Sequence, residues 1–244
     1  FNTEKEPLND IKVRKALAYA FPYDDVINYA VGGYATQSIG PIPKGHWGHS
    51  DNLSQYNYDL DKAKNLLEEA GIKEGELKLL LTYLSGEETE KKAVELYKAE
   101  LSKIGVELEI RAMPWESMWE MAMSEDLQKR QDIYMIYWWP DVANPYSWLF
   151  SLFHTEEQPL FNLSYYSNEE FDKLIDKAYM NSGVNRIVAE EDFVKAQEIL
   201  IEDCPGLFIF DREDLWAVNP TFKGFEYNPA YSNVVFFYDC YREK

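Results

Sequence analysis

LKLLLTYLSGEETEKKAVELYKAELSKIGVELEIR, residues 77–111, decides the fold. Leu77 to Leu84 is a short apolar run and reads as a buried strand. Val94, Tyr97, Leu101 and Ile104 then fall on one helical face, and Gly105 closes that helix. Val106 to Arg111 alternates with period two, the signature of a second strand. Strand, helix, strand is a crossover unit. It predicts an α/β chain in which helices cover a central sheet.

The flanks repeat this grammar. Asn9-Asp10 caps a helix whose apolar positions are Val13, Ala16, Leu17 and Ala20. Asp24-Asp25 opens a short helix through Val26 and Ile27. A loop rich in Gly and Pro runs from Gly32 to Asn57, long enough to be functional or to cross between layers. Asp59 caps a helix with the stripe Ala63, Leu66, Leu67, Ala70, stopped by Gly71. After the quoted stretch, Pro114 suits a first helical turn, and Trp115, Met118, Trp119 and Ala122 repeat at helical spacing. Asp132 to Trp139 reads as a strand and Pro145 to Phe153 as a short helix. Asn168 caps a helix burying Phe171, Leu174, Ile175 and Ala178, and another spans about Ile187 to Asp203 before Pro205. Leu207–Phe210, Leu215–Val218 and Val234–Tyr238 read as closing strands. No linker-like stretch divides the chain, which reads as one main domain with trailing strands.

Composition narrows the function. The 244 residues carry 43 Asp+Glu against 24 Lys+Arg, a formal net charge of −19. Such a chain repels nucleic acid and anionic membrane surfaces. Hydrophobic residues at 46% supply a real core. No run approaches the ~20 apolar residues of a membrane span. Cys204 and Cys240 lack the spacing of a zinc site or redox pair. Phe1 to Lys5 is polar where a signal peptide needs a basic and then apolar stretch. Either the protein is cytoplasmic or the chain starts downstream of its true beginning.

Catalysis finds little support. No G-x-S-x-G occurs, and no glycine motif suited to phosphate is present. His46 and His49 lie on a Gly/Pro loop with no third ligand in view, and read as surface histidines. With so many carboxylates, chance pairs cannot argue for a glycosidase. No catalytic residue, metal ligand or cofactor is assigned.

Aromatic residues, at 16%, point elsewhere, because Tyr and Trp are over-used where proteins grip ligands. They cluster in the segment Tyr134 to Trp148, where an apolar strand runs into Trp138, Trp139, Pro140 and Asp141. Ligands of open α/β sheets sit beyond the carboxyl ends of the strands. An acid there, among indoles, is partly desolvated, and an ammonium ion relieves that cost. Equally, Asp141 could cap the helix that follows.

Four segments resemble the extracytoplasmic solute-binding proteins of family 5, the peptide/nickel ABC importers. They are Asn2-Thr3 with Pro7, Asp10 and Val13 to Ala20; Gly40-Pro41-Ile42-Pro43 with Gly45; Tyr58-Asp59 through Ala70-Gly71; and Tyr166-Ser167-Asn168 with Glu170-Phe171-Asp172. They occur in family order over nearly the whole chain. The resemblance implies a lobe of a class II periplasmic-binding-protein-like fold, with a central mixed sheet flanked by helices. A signal peptide and an N-terminal lobe precede this region in the family, and ligand is buried between two closing lobes. Residues 1–220 would then be a ligand-binding lobe and 221–244 terminal strands returning toward the missing N-terminal lobe.

The implied location is periplasmic or extracytoplasmic, with lipid anchoring through the missing N-terminus open. The implied partners are an oligopeptide and an ABC permease, and the implied role is capture without chemistry. In peptide binders of the family a W-x-x-D-x-x-x-P segment supplies the Asp that holds the α-ammonium group. Trp138, Asp141 and Pro145 fall on that spacing, so Asp141 is the amine anchor by resemblance and Trp138 lines the pocket. Trp115 resembles a pocket Trp ahead of that strand. Tyr137, Trp139 and Asn144 on the same segment complete the candidate ligand-binding set. Dipeptide binders carry an Arg just after the strand corresponding to Leu77–Leu84, where this chain has Tyr83-Leu84-Ser85-Gly86. That departure turns the expectation from strict dipeptides toward longer peptides, with oligosaccharides stacked on Trp138 and Trp139 as the alternative.

Overall fold

A computed structural model describes residues 1–139, 142–228 and 234–243. Its centre is a three-stranded parallel sheet in the order β3-β2-β4, with β2 Lys78–Leu84, β3 Glu107–Met113 and β4 Ile133–Tyr134. Leu81 is registered against Ile110 on one side and Ile133 on the other. Helix α4, Glu88–Lys103, makes the crossover from β2 to β3. It buries Val94, Tyr97 and Leu101, the stripe the periodicity predicts, and Gly105 follows with φ +74°.

The remaining helices form around this unit. Asp10 caps α1, Ile11–Tyr19, by accepting from Lys12 N, and Asp59 caps α3, Leu60–Glu69, by accepting from Lys62 N. A short α2, Tyr23–Asp25, runs into a π turn over Val26–Ala30. The Tyr97 hydroxyl donates to Leu17 O at 2.9 Å, which ties α4 to α1. One apolar cluster joins the sheet to α1, α3 and α4. A second joins α6, Pro145–Phe153, α7, Glu169–Asn181, and α8, Arg186–Asp203, around Trp148, Phe171 and Phe193. Helix α5, Trp115–Ala122, follows β3 as expected. Among the described residues no helix is long and apolar enough to cross a membrane.

Several expected strands are shorter or absent. The run from Asp132 contributes only Ile133–Tyr134 to the ladder, with Met135 N donating to Thr82 O beyond it. The register places Ile136 opposite Leu84, where β2 itself ends, so later residues have no partner strand. The long loop contains a strand the sequence did not announce: β1, Ala35–Gln37, pairs antiparallel with β5, Phe210–Arg212. Leu215–Val218 forms no strand, and Val234–Tyr238 gives only a 3-10 turn at Phe237–Asp239. Their β-type composition marks half-buried surface, yet a ladder requires a partner strand in register, and among the described residues none pairs with them. The antiparallel pair at this end is β6, Phe222–Lys223, with β7, Tyr241–Arg242.

Candidate ligand-binding groove

Beyond the carboxyl ends of β2 and β4 lies a groove of about 630 Å³. One wall is the segment leaving β4, with Tyr137, Trp138 and Trp139. The start of α4 supplies Glu87 and Glu90, and β5 supplies Phe210, Asp211 and Arg212. A smaller cavity of about 230 Å³ shares Trp138 and Trp148 with it. The position follows from the topology: the two parallel strands end here and the chain swings away from the sheet.

The aromatic wall is firmly set. Trp138 packs edge-on against Phe161, ring centroids 5.2 Å apart, and its buried indole Nε1–H has no acceptor among the described residues. Trp139 is 67% exposed. Tyr137 meets Phe210 edge-on, and the Arg212 guanidinium carbon lies 5.4 Å from its ring centroid. Burial, opposed by Thr89 and Arg212 and reinforced by Glu90 and Glu87, holds the Tyr137 phenol above its ordinary pKa.

The carboxylates differ sharply in commitment. Asp211 accepts from the Ser38 hydroxyl at 2.7 Å and from Lys44 N at 3.2 Å. Glu90 is 4% exposed and accepts from Leu84 N at 2.9 Å. Desolvation pushes its carboxyl up to about 7, against the Leu84 hydrogen bond, with Glu87 adding to the rise. Sequence reasoning passed over Glu90 and Arg212. The one available signal was the Glu87-x-x-Glu90 spacing at the start of α4, a helix-entry pattern rather than a ligand one.

Of the expected ligand-binding residues, the fold brings Tyr137, Trp138 and Trp139 into the groove. Trp115 opens α5 and is not among the groove's lining. Asn144 also lies outside that lining and caps α6, its Oδ1 accepting from Tyr146 N at 2.9 Å. Asp141 lies outside the described residues. The histidines depart from the surface reading. The His49 side chain is 9% exposed, with Nδ1 at 2.8 Å from Ile42 O, and His46 lies edge-on to Trp148 at 5.2 Å. Among the described residues no group of three His, Cys, Asp or Glu could hold a metal ion, and Cys204 and Cys240 are both free.

The model of the bacterial extracellular solute-binding proteins, family 5, matches residues 1–159. The chain belongs to this family. Among its relatives is the probable D,D-dipeptide-binding periplasmic protein DdpA of Escherichia coli, 29% identical over 234 residues. The alignment covers 96% of this chain and 44% of DdpA. The dipeptide-binding protein of the same organism is 29% identical, covering 94% of this chain and 42% of its own length. The periplasmic binding protein DppA of Helicobacter pylori, solved with the peptide STSA, superposes with a TM-score of 0.82 at 28% identity. That match spans 100% of this chain and 46% of DppA. The family 5 chain described here thus spans less than half the length of these relatives. Its parallel sheet and helical layers have the architecture of periplasmic peptide-binding proteins.

Proposed function

We propose that this chain is the ligand-binding second lobe of a two-lobe solute-binding protein that captures oligopeptides for an ABC permease. The observation that carries the reading is the groove at the strand ends, walled by Tyr137, Trp138 and Trp139. The same segment continues into the W-x-x-D-x-x-x-P spacing of Trp138, Asp141 and Pro145. The H. pylori relative, described with a bound peptide, supports a peptide as the ligand class. Asp141 is the proposed anchor of the peptide's α-ammonium group. Helix α6 draws its cap from Asn144, so the amine-anchor reading is the one that gives the charge of Asp141 a purpose.

Residues 1–220 form the proposed lobe, and 221–244 return toward an N-terminal lobe. The exposed side chains near the end, with Phe237 at 70% and Tyr238 at 98%, suit a surface that another lobe covers. The proposed location is periplasmic or extracytoplasmic. Calorimetric titration of the full-length protein with free and N-acetylated peptides tests the assignment. Free peptides bind and acetylated ones bind far more weakly. Equal binding removes the amine anchor and moves an oligosaccharide ligand ahead.

A further inference from the structure

Most acidic side chains that enter this groove are already occupied or lie in the open, whereas Glu90 is enclosed. It sits at the third position of α4, 4% exposed, and accepts a hydrogen bond of 2.9 Å from Leu84 N. Among the described residues no lysine, arginine or histidine pairs with it. A carboxylate withdrawn from water without a counter-ion is costly, and the cost falls when a cation arrives. Tyr137 lines the same groove, with the Arg212 guanidinium carbon 5.4 Å from its ring centroid.

We propose that Glu90 is a cation-accepting subsite, which selects ligands bearing an ammonium or guanidinium side chain in addition to their α-ammonium group. This inference rests on the peptide reading of the groove. The structural alternative is that Glu90 only closes the β2–α4 turn through Leu84 N, a task a neutral glutamine performs equally well.

The charge state of Glu90 answers to its neighbours. Glu87 on the same helix end opposes its ionisation. Across the groove stand Tyr137 after β4, and Asp211 and Arg212 on β5. The rim carries Lys44 and His46 from the long loop, with Asp214 and Tyr227 from the C-terminal part. Burial holds the His46 ring below its ordinary pKa, so it adds no charge near neutral pH. Burial raises the Glu90 carboxyl to about 7, so it is charged at pH 8 and protonated at pH 5.5.

The test is calorimetry on the full-length protein with alanine tri- to pentapeptides carrying one lysine, or one norleucine, at each position in turn. At pH 8, lysine is favoured over its uncharged counterpart by at least tenfold at one position. At pH 5.5 that ratio falls toward one. Glu90→Gln keeps an acceptor for Leu84 N but removes the charge. Its lysine-to-norleucine ratio lies within about twofold of one at pH 8, with folding verified by thermal unfolding. Equal wild-type affinity for the two series overturns the subsite while leaving peptide binding intact. So does a lysine preference that survives in Glu90→Gln. Failure of every peptide to bind overturns the peptide reading, and the subsite with it.

Discussion

Arg14 on α1 holds the end of α8 through Cys204: its Nε donates to Cys204 O at 3.0 Å, across 190 residues of sequence. Nη2 donates to Asp203 O at 2.7 Å and Nη1 to Leu8 O at 2.7 Å. Cys204 itself is left-handed, φ +50°, so α8 ends on a non-glycine residue whose carbonyl faces a guanidinium. A cation at a helix C-terminus also complements the helix dipole.

Arg14→Met should therefore leave several buried carbonyls without donors, at a cost of about 2–4 kcal/mol. Arg14→Lys recovers only part of this, because an ammonium cannot reproduce the planar fork. Urea unfolding of the three proteins measures it. A midpoint for Arg14→Met equal to wild type would show that the carbonyls find water instead.

Arg14 also marks where the sequence stops being legible. The stripe Val94, Tyr97, Leu101 and the caps Asp10, Asp59 and Asn168 could be read directly, because their partners are two to four residues away. The partners of Arg14 are not local, and no periodicity points to Cys204. The same distinction separates the two halves of the groove. Tyr137, Trp138 and Trp139 announce themselves as an aromatic run at a strand end. Glu90 is one acid among 43 Asp+Glu, and only the three-dimensional fold removes it from water. Leu215–Val218 misled because β-pattern reports a surface that wants covering, not the presence of a neighbouring strand.

Glu90 should also make stability depend on pH. Its carboxyl has an ordinary pKa of 4.5 and about 7 in the fold. The folded state therefore binds the extra proton, and stability rises where the proton is bound. That contribution is complete below pH 4.5 and is lost as pH rises through about 7. In the absence of ligand, Glu90→Gln should be more stable than wild type at pH 8. The gap between them should close toward pH 4.5. Parallel stability curves from pH 4 to 8 would mean that Glu90 has the same affinity for protons folded and unfolded.

Trp138 and Trp139 are neighbours in opposite settings, one packed and one exposed. Trp138 is packed on Phe161 at 5.2 Å, so Trp138→Ala leaves a cavity and costs on the order of 3 kcal/mol. Trp139 is 67% exposed in the groove wall, so Trp139→Ala should change stability by less than ~0.5 kcal/mol. Its effect falls on the ligand, since a large aromatic contact is lost. Thermal unfolding and ligand titration on both variants separate the roles. A Trp139→Ala protein that binds peptide as wild type does would take this indole out of the site.

Asp141 carries the sharpest test of what the groove binds. It follows Trp138-Trp139-Pro140 and is the proposed ammonium anchor. Asp141→Asn keeps the shape and removes the charge. If a peptide ammonium pairs with it in a closed cleft, breaking one side of that pair costs ~2–5 kcal/mol, roughly 30-fold or more in affinity. A neutral sugar held by an ordinary hydrogen bond loses only ~0.5–1.5 kcal/mol. Helix α6 is capped by Asn144, so a capping role does not compete at Asp141. Free and N-acetylated peptides, titrated into wild-type and Asp141→Asn full-length protein, separate the two. The anchor reading requires that acetylation weaken the wild type strongly and the variant hardly at all, since in the variant the charge that acetylation would remove has already lost its partner.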